Sequence, residues 1–189
     1  MDESEGVPPA PAAAVPATAV ASAVDTRCIV GPTPTIPKKN NLLTSTLTVG
    51  KDFELALELR PRGALAGWTS IIHFTANNEN CGSEGSRVPA LCFNKNKTSL
   101  HVVCGSEDNA NAHINTAELP IDEWSTVRLL ASSADGPVCQ VFVNEQLVGN
   151  IPSPTRRPFD NVNVYLGDPW HNAAACEIRN CVYRVISLA

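Results

Sequence analysis

The sequence predicts an all-β protein, an antiparallel two-sheet β-sandwich preceded by a disordered, Pro/Ala-rich N-terminal arm. Three observations carry this prediction. Apolar and polar residues alternate with a period of two in many short runs, clusters of turn residues separate these runs, and no run has the spacing of an amphipathic three-turn helix. About ten to twelve short strands in about 150 residues are typical of an antiparallel sandwich or barrel.

The arm is residues 1–37, and the domain is expected over residues 38–189. Seven of the 15 prolines lie before Lys38, and Ala occupies eight positions between Pro8 and Val24. Because proline fixes φ and removes amide donors, this composition predicts an extended, flexible linker.

A secretory signal is the other interpretation of the arm, since Ala21-Ser22-Ala23 has the form of a cleavage site. However, Asp2, Glu3 and Glu5 stand where a signal peptide is basic, and prolines interrupt the apolar stretch. We therefore expect an intracellular protein or a fragment of a larger extracellular one.

The clearest strand is Phe53–Leu59, where Phe and Leu alternate with Glu and Ala. A hairpin turn is predicted at Asn144-Glu145. Glu145 stands where glycine is favoured, which implies a wider loop or strain. The runs predicted as strands are 42–49, 53–60, 70–75, 90–93, 99–104, 124–131, 139–143, 146–151, 161–166 and 177–187.

Charge and hydropathy exclude two classes of partner. The net charge is −5, from 14 basic and 19 acidic residues, which argues against nucleic acid and anionic membrane surfaces. No window approaches the roughly 18 uninterrupted apolar residues of a membrane span, so we expect no membrane insertion.

Four segments in a fixed order carry a resemblance to a known family. They are Phe53-x-Leu55-x-Leu57-x-Leu59, Leu119-Pro120-x-x-x-Trp124-x-x-Val127, Val141-x-Val143-Asn144-x-x-Leu147-Val148-Gly149 and Val164-Tyr165-Leu166-Gly167-Asp168-Pro169-Trp170. In this order they resemble a concanavalin A-like, laminin G-like jelly-roll domain covering residues 40–189. The resemblance implies a binding module that recognises glycans, proteins or surface partners at its loop rim or concave sheet.

Catalysis is not expected, although some relatives of this fold are glycoside hydrolases. Glu54 and Glu58 share one strand face and lie about 13 Å apart, which matches neither the ~5–5.5 Å of a retaining pair nor the ~6.5–9.5 Å of an inverting pair. His73, His101 and the other two histidines fall in separate segments. A catalytic pair of one histidine and one cysteine that only folding brings together is the alternative that the sequence leaves open.

No cofactor is expected from the residues themselves, and calcium, held by oxygen-rich loops, is the one that the resemblance implies. The candidate residues are Asp108, Asn109 and Asp160. Plain solvated turns are the favoured alternative, because Asn and Asp dominate turns.

The seven cysteines include no C-x-x-C pair, so the spacing of a structural zinc site is missing. Cys104 and Cys139 have the pattern of buried hydrophobic residues. Cys81, Cys176 and Cys181 are the candidates for a disulfide in an oxidising compartment.

The most informative local feature is the loop that contains Asp168, Trp170, His171 and Asn172. An aromatic ring beside Asp, His and Asn can stack on a sugar and bind its hydroxyls, so these four residues are the predicted ligand site. In the alternative interpretation, Asp168 caps the turn and Trp170 packs inward.

These observations predict a non-catalytic module that binds a glycan or protein through loops at one end of a β-sandwich. The alternative function is a structural subunit that docks into a larger assembly through residues 1–37; a glycoside-active enzyme ranks third. Asn96 begins the sequon Asn96-Lys97-Thr98 and would be glycosylated if the chain is secreted.

Overall fold

The computed structural model describes residues 22–134 and 136–187. Within them the chain forms thirteen β-strands, and no helix there is long and apolar enough to cross a bilayer. The strands are β1 (Ser22–Val30), β2 (Leu42–Val49), β3 (Phe53–Pro61), β4 (Thr69–Thr75), β5 (Ala90–Phe93), β6 (Ser99–Val103), β7 (His113–Glu118), β8 (Ser125–Ser132), β9 (Val138–Val143), β10 (Gln146–Pro152), β11 (Phe159–Tyr165), β12 (Asn172–Ala173) and β13 (Cys176–Ser187).

The strands form two sheets. The six-stranded sheet has the order β1-β13-β3-β8-β9-β10, and the seven-stranded sheet has the order β2-β11-β4-β5-β6-β7 with β12 paired to β4. The β12–β4 pairing is parallel, and the other ladders are antiparallel. The predicted all-β, two-sheet sandwich is confirmed.

The core lies between the sheets and is built by period-two alternation. In β3 the odd-numbered positions Phe53–Leu59 are buried, while Glu54 and Glu58 are turned outward. An aromatic cluster joins the two sheets: the Tyr183 ring lies 5.4 Å from Phe53 in its own sheet and 5.7 Å from Phe74 in the other. Burial of this apolar face is the main stabilising term.

The structure describes part of the predicted arm, while the domain boundary at Lys38 stays a prediction. Ser22–Val30 forms the edge strand β1, which pairs with β13, and Thr35 bridges to Ile178. Residues 1–21 of the predicted arm lie outside the described residues. The sequence does not predict β1 because residues 26–28 are exposed, so the strand lacks the apolar alternation of a half-buried strand. Main-chain hydrogen bonds to β13 hold it in place.

The sequence pattern also does not predict the strands β7 and β12.

The sequence predicts either a wider loop or backbone strain at the turn between β9 and β10, and the structure shows no wider loop. The turn is a tight two-residue connection with positive φ at both Asn144 (49°) and Glu145 (62°). This is the type I′ geometry of hairpins, and it places a glutamate in the left-handed region.

Candidate functional site

The loop between β11 and β12 is fixed by the segment that precedes β2. The backbone N–H groups of Lys38, Asn40 and Asn41 donate to the carbonyls of Leu166, Asp168 and Gly167 over 3.0–3.1 Å. Gly167 has φ of +90°, and a Cβ there would collide with the Lys38 carbonyl. Glycine is therefore required for the two segments to approach this closely.

Asp168 is the buried centre of this loop, with 0% relative exposure. Its Oδ1 accepts from the backbone N–H groups of Trp170 (3.0 Å) and His171 (2.7 Å), and its Oδ2 lies 2.9 Å from His171 Nδ1 and 3.0 Å from His73 Nδ1. Burial alone would raise the pKa of Asp168, but the hydrogen bonds from His171 and His73 outweigh it and hold that pKa well below its usual range.

His73 lies in β4 between two acceptors. Its Nδ1 faces Asp168 Oδ2, and its Nε2 lies 2.7 Å from the Ser86 carbonyl oxygen. A carboxylate and a carbonyl oxygen both accept hydrogen bonds, so the two ring nitrogens are held between two acceptors in the core of the loop site. Trp170 covers this ring at a centroid distance of 5.1 Å.

A cavity of about 840 Å³ lies on the outer face of the seven-stranded sheet. Leu91, Leu100 and Val102 point into the core, so their neighbours Cys92 and His101 point outward into the cavity. Cys92 on β5 pairs in register with His101 on β6, which pairs with Asn115 on β7. One row of side chains across three strands therefore forms the floor.

Aromatic and imidazole rings line one side of the cavity. The His101 ring lies 4.8 Å from Trp68 and 4.4 Å from His113, and His101 Nδ1 is 3.0 Å from Asn115 Oδ1. Burial lowers the pKa of His101 to about 4, and the positive charges of His113 and Arg87 act in the same direction, against the hydrogen bond to Asn115. His101 is therefore neutral near pH 7.

Arg87 supplies a positive charge that amide groups hold in place. Its Nε donates to the Asn80 carbonyl (2.8 Å), and its Nη1 and Nη2 donate to the side-chain oxygens of Asn111 (2.7 Å) and Asn80 (3.2 Å). Among the described residues that line the cavity, none is Asp or Glu. The cavity thus has a fixed cation without a neutralising carboxylate.

The four residues of the predicted ligand site have different environments. His171 lines the cavity, whereas Asp168 is buried behind it and Trp170 is half-buried between His73 and Tyr165. Asn172 is exposed on β12. Asp168 also caps the turn through the backbone N–H groups of Trp170 and His171. This capping is the role that the alternative interpretation of the loop gives to Asp168.

The predicted calcium residues are exposed and engaged in local hydrogen bonds. Asp160 Oδ1 accepts from the Thr48 hydroxyl (2.9 Å), Asn109 Oδ1 accepts from the Asn111 N–H (3.0 Å), and the backbone N–H of Asp108 donates to the Thr155 hydroxyl. Calcium at these residues stays a prediction. Asn96 is exposed in the β5–β6 turn, with φ of 58°.

A different group has the composition of a metal site. Among the described residues, Cys92, Asp168 and His171 form the one set of three His, Cys, Asp or Glu side chains whose donor atoms all lie within 4.8 Å of one another. All seven cysteines are free thiols, including the three candidates for a disulfide.

The carboxylates considered for glycoside hydrolysis are held by arginines of β13. Glu54 binds Arg184 (3.0 Å), and Glu58 binds Arg179 and Asn180. The hydrogen bond from Asn180 lowers the pKa of Glu58 against its burial, with Arg179 acting in the same direction. A carboxyl held ionised in this way is a poor general acid.

No family model matches the sequence, and no curated protein matches it. Several solved structures have a similar fold. The heptameric SAP-like pentraxin from Limulus polyphemus is 14% identical, with a TM-score of 0.54 over 84% of this chain and 75% of the pentraxin. The receptor binding domain of botulinum neurotoxin type G is 12% identical, with a TM-score of 0.55 over 89% of this chain and 49% of that domain.

The sialidase of Trypanosoma rangeli is 18% identical, with a TM-score of 0.53 over 70% of this chain. The matched part spans only 20% of the sialidase. At these identities the likeness concerns the fold alone. The chain is a β-sandwich of the jelly-roll type.

Proposed function

We propose that this chain is a non-catalytic binding module that takes an acidic saccharide in the cavity on the outer face of the seven-stranded sheet. The observation that carries the proposal is the lining of that cavity. It combines an aromatic ring, Trp68, with the amides of four asparagines, three imidazoles and the guanidinium of Arg87.

This lining fits a saccharide because each kind of group has a counterpart on one. Amides and the neutral imidazole of His101 can both donate to and accept from sugar hydroxyls, and the half-buried Trp68 offers an apolar surface. Arg87 favours a carboxylate or sulfate on the ligand, since a guanidinium binds such groups with charge-assisted hydrogen bonds. The similarity in fold to a pentraxin and to a receptor binding domain supports a binding role.

The three tryptophans provide a direct test, because each lies in a different place. Trp68 lines the cavity, Trp170 belongs to the predicted loop site, and Trp124 lies between Arg60 and Arg179 on the outer face of the other sheet. The full chain is screened on a glycan array, and the affinity of each hit is measured by calorimetry for Trp68→Ala, Trp170→Ala and the control Trp124→Ala.

We expect binding to acidic glycans, with a loss of at least about tenfold in Trp68→Ala and no change in Trp124→Ala. Arg87→Gln should reduce the preference for acidic over neutral glycans, whereas Arg157→Gln, whose arginine pairs with Glu84, should not. A loss confined to Trp170→Ala would move the site to the predicted loop. A chain that binds no glycan would refute the proposal.

A further inference from the structure

Cys92 and His171 border the cavity, and the side chain of Asp168 meets theirs from the buried side. Cys92 comes from β5, and the other two come from the loop between β11 and β12. A thiol, a carboxylate and an imidazole are brought within 4.8 Å of one another by segments more than seventy residues apart in the chain.

The spacing of these donors suits a small divalent cation. With bonds of ~2.3 Å to sulfur and ~2.0–2.1 Å to nitrogen and oxygen, neighbouring donors around tetrahedral zinc stand about 3.3–3.6 Å apart. His171 Nδ1 is already 2.9 Å from Asp168 Oδ2. A modest movement of the Cys92 and His171 side chains therefore brings all three donors to bonding distance of one ion.

The surroundings have two further features of a metal site. First, Asp168 is held from behind by His73 and by two backbone N–H groups, the kind of outer-shell support that orients metal ligands. Second, Cys92 and His171 both border the cavity, so a fourth coordination position faces solvent. Three protein ligands with one open position are the arrangement of an accessible zinc site.

We propose that Cys92, Asp168 and His171 bind a divalent cation of the zinc class. Thiolate and imidazole favour Zn²⁺ over the hard cations Ca²⁺ and Mg²⁺. On binding, a metal–sulfur bond forms and the thiol proton of Cys92 passes to solvent, while His171 keeps its proton on the nitrogen that does not bind the metal. This inference is independent of saccharide binding.

The test uses the metal-free, reduced full chain without any glycan. Co²⁺ is titrated as a spectroscopic probe for Zn²⁺, because a cobalt–thiolate bond gives a charge-transfer absorption that oxygen and nitrogen ligands do not. Zn²⁺ then competes for the same site, and native mass spectrometry gives the stoichiometry. The variants are Cys92→Ser and His171→Gln, with Cys81→Ser and His113→Gln as matched controls from the same cavity.

We expect one Co²⁺ per chain with thiolate absorption that Zn²⁺ displaces. The absorption should vanish in Cys92→Ser, affinity should fall at least tenfold in His171→Gln, and both controls should keep wild-type affinity. His171→Gln is decisive if Cys92→Ser fails to fold, because His171 borders the cavity and is less buried than Cys92. Absence of binding, absorption without a thiolate band, wild-type affinity in His171→Gln, or loss of binding in Cys81→Ser would each overturn the proposal.

Discussion

His101 illustrates how burial sets the chemistry of a single residue in the cavity. Its pKa falls from about 6.5 in an unfolded chain to about 4 in the folded protein, chiefly through burial. Between these two values the unfolded chain binds a proton that the folded chain does not. The contribution to stability is therefore complete above pH 6.5 and is lost as the pH falls towards 4.

We expect the free energy of unfolding to fall less steeply between pH 7 and pH 4 in His101→Gln than in the wild type. In the wild type this residue should cost up to about 3 kcal/mol of unfolding free energy between pH 7 and pH 4. Urea denaturation at a series of pH values measures the slope. Equal slopes for wild type and His101→Gln would contradict the interpretation.

Gly167 carries both a positive φ and a close contact with the Lys38 carbonyl. In Gly167→Ala the new Cβ must push the 38–41 segment away, so we expect a loss of more than about 1 kcal/mol of stability. Gly136→Ala is the matched control, because Gly136 has a similar φ of +100° but open space around its Cα. Denaturant midpoints of the two variants separate steric contact from backbone strain, and equal midpoints would exclude a role for the contact.

The site was only partly predictable from single residues. Asp168, Trp170, His171 and Asn172 are consecutive or nearly so, and a loop between two apolar strands is visible in the sequence. Cys92 and His101 were not singled out as ligand residues. They alternate with core residues on separate strands, and only the sheet register places them opposite each other.

At the level of elements, the runs with strong alternation were predicted well. The predicted range 53–60 ends one residue before the end of β3, whose buried and half-buried positions alternate along its whole length. The strands that were missed, β1, β7 and β12, have few buried apolar side chains. In β7, for example, exposed and half-buried residues alternate without a fully buried one. Such strands are held by main-chain hydrogen bonds, which do not require a pattern of apolar residues in the sequence.

The β9–β10 hairpin provides a test at this scale. Glu145 adopts φ of 62°, and its ion pair with Arg128 is long, at 3.8 Å, and 74% exposed on the glutamate side. Glu145→Gly should therefore stabilise the protein by about 0.5–1 kcal/mol, since glycine removes the left-handed strain and little is lost with the pair. Asn144→Ala should destabilise it, because Asn144 Oδ1 accepts from the Thr126 N–H at 2.9 Å. Thermal denaturation measures both, and a lower melting temperature for Glu145→Gly would contradict the strain argument.

Across the whole molecule, the two sheets have different outer faces. The six-stranded sheet carries ion pairs between β3 and β13, and Arg60 and Arg179 lie over Trp124. The seven-stranded sheet carries the cavity and the buried Asp168–His73 pair. On the first face the charged side chains pair with one another, while the second face leaves Arg87, His113 and His171 at least partly exposed.

Tyr183 joins the sheets and also satisfies a buried backbone group, because its hydroxyl accepts from the Gly50 N–H at 3.0 Å. Tyr183→Phe leaves that N–H without a partner and should cost about 1–3 kcal/mol. In the control Tyr165→Phe, the lost partner is Asn78, which is exposed and regains water. Urea midpoints should therefore shift much more for Tyr183→Phe, and equal shifts would show that the Gly50 contact contributes nothing.

Because the aromatic cluster and the shared core link the two sheets, we expect them to unfold together. Chains that retain a single tryptophan can report this, with Trp124 following the six-stranded sheet and Trp68 the seven-stranded sheet. The other two tryptophans are replaced by phenylalanine. For each single-tryptophan chain, the fluorescence and far-ultraviolet dichroism midpoints in urea should coincide. A fluorescence transition at Trp68 that precedes the dichroism would instead mean that the cavity-bearing sheet opens on its own, and that ligand or metal binding stabilises a local rather than a global equilibrium.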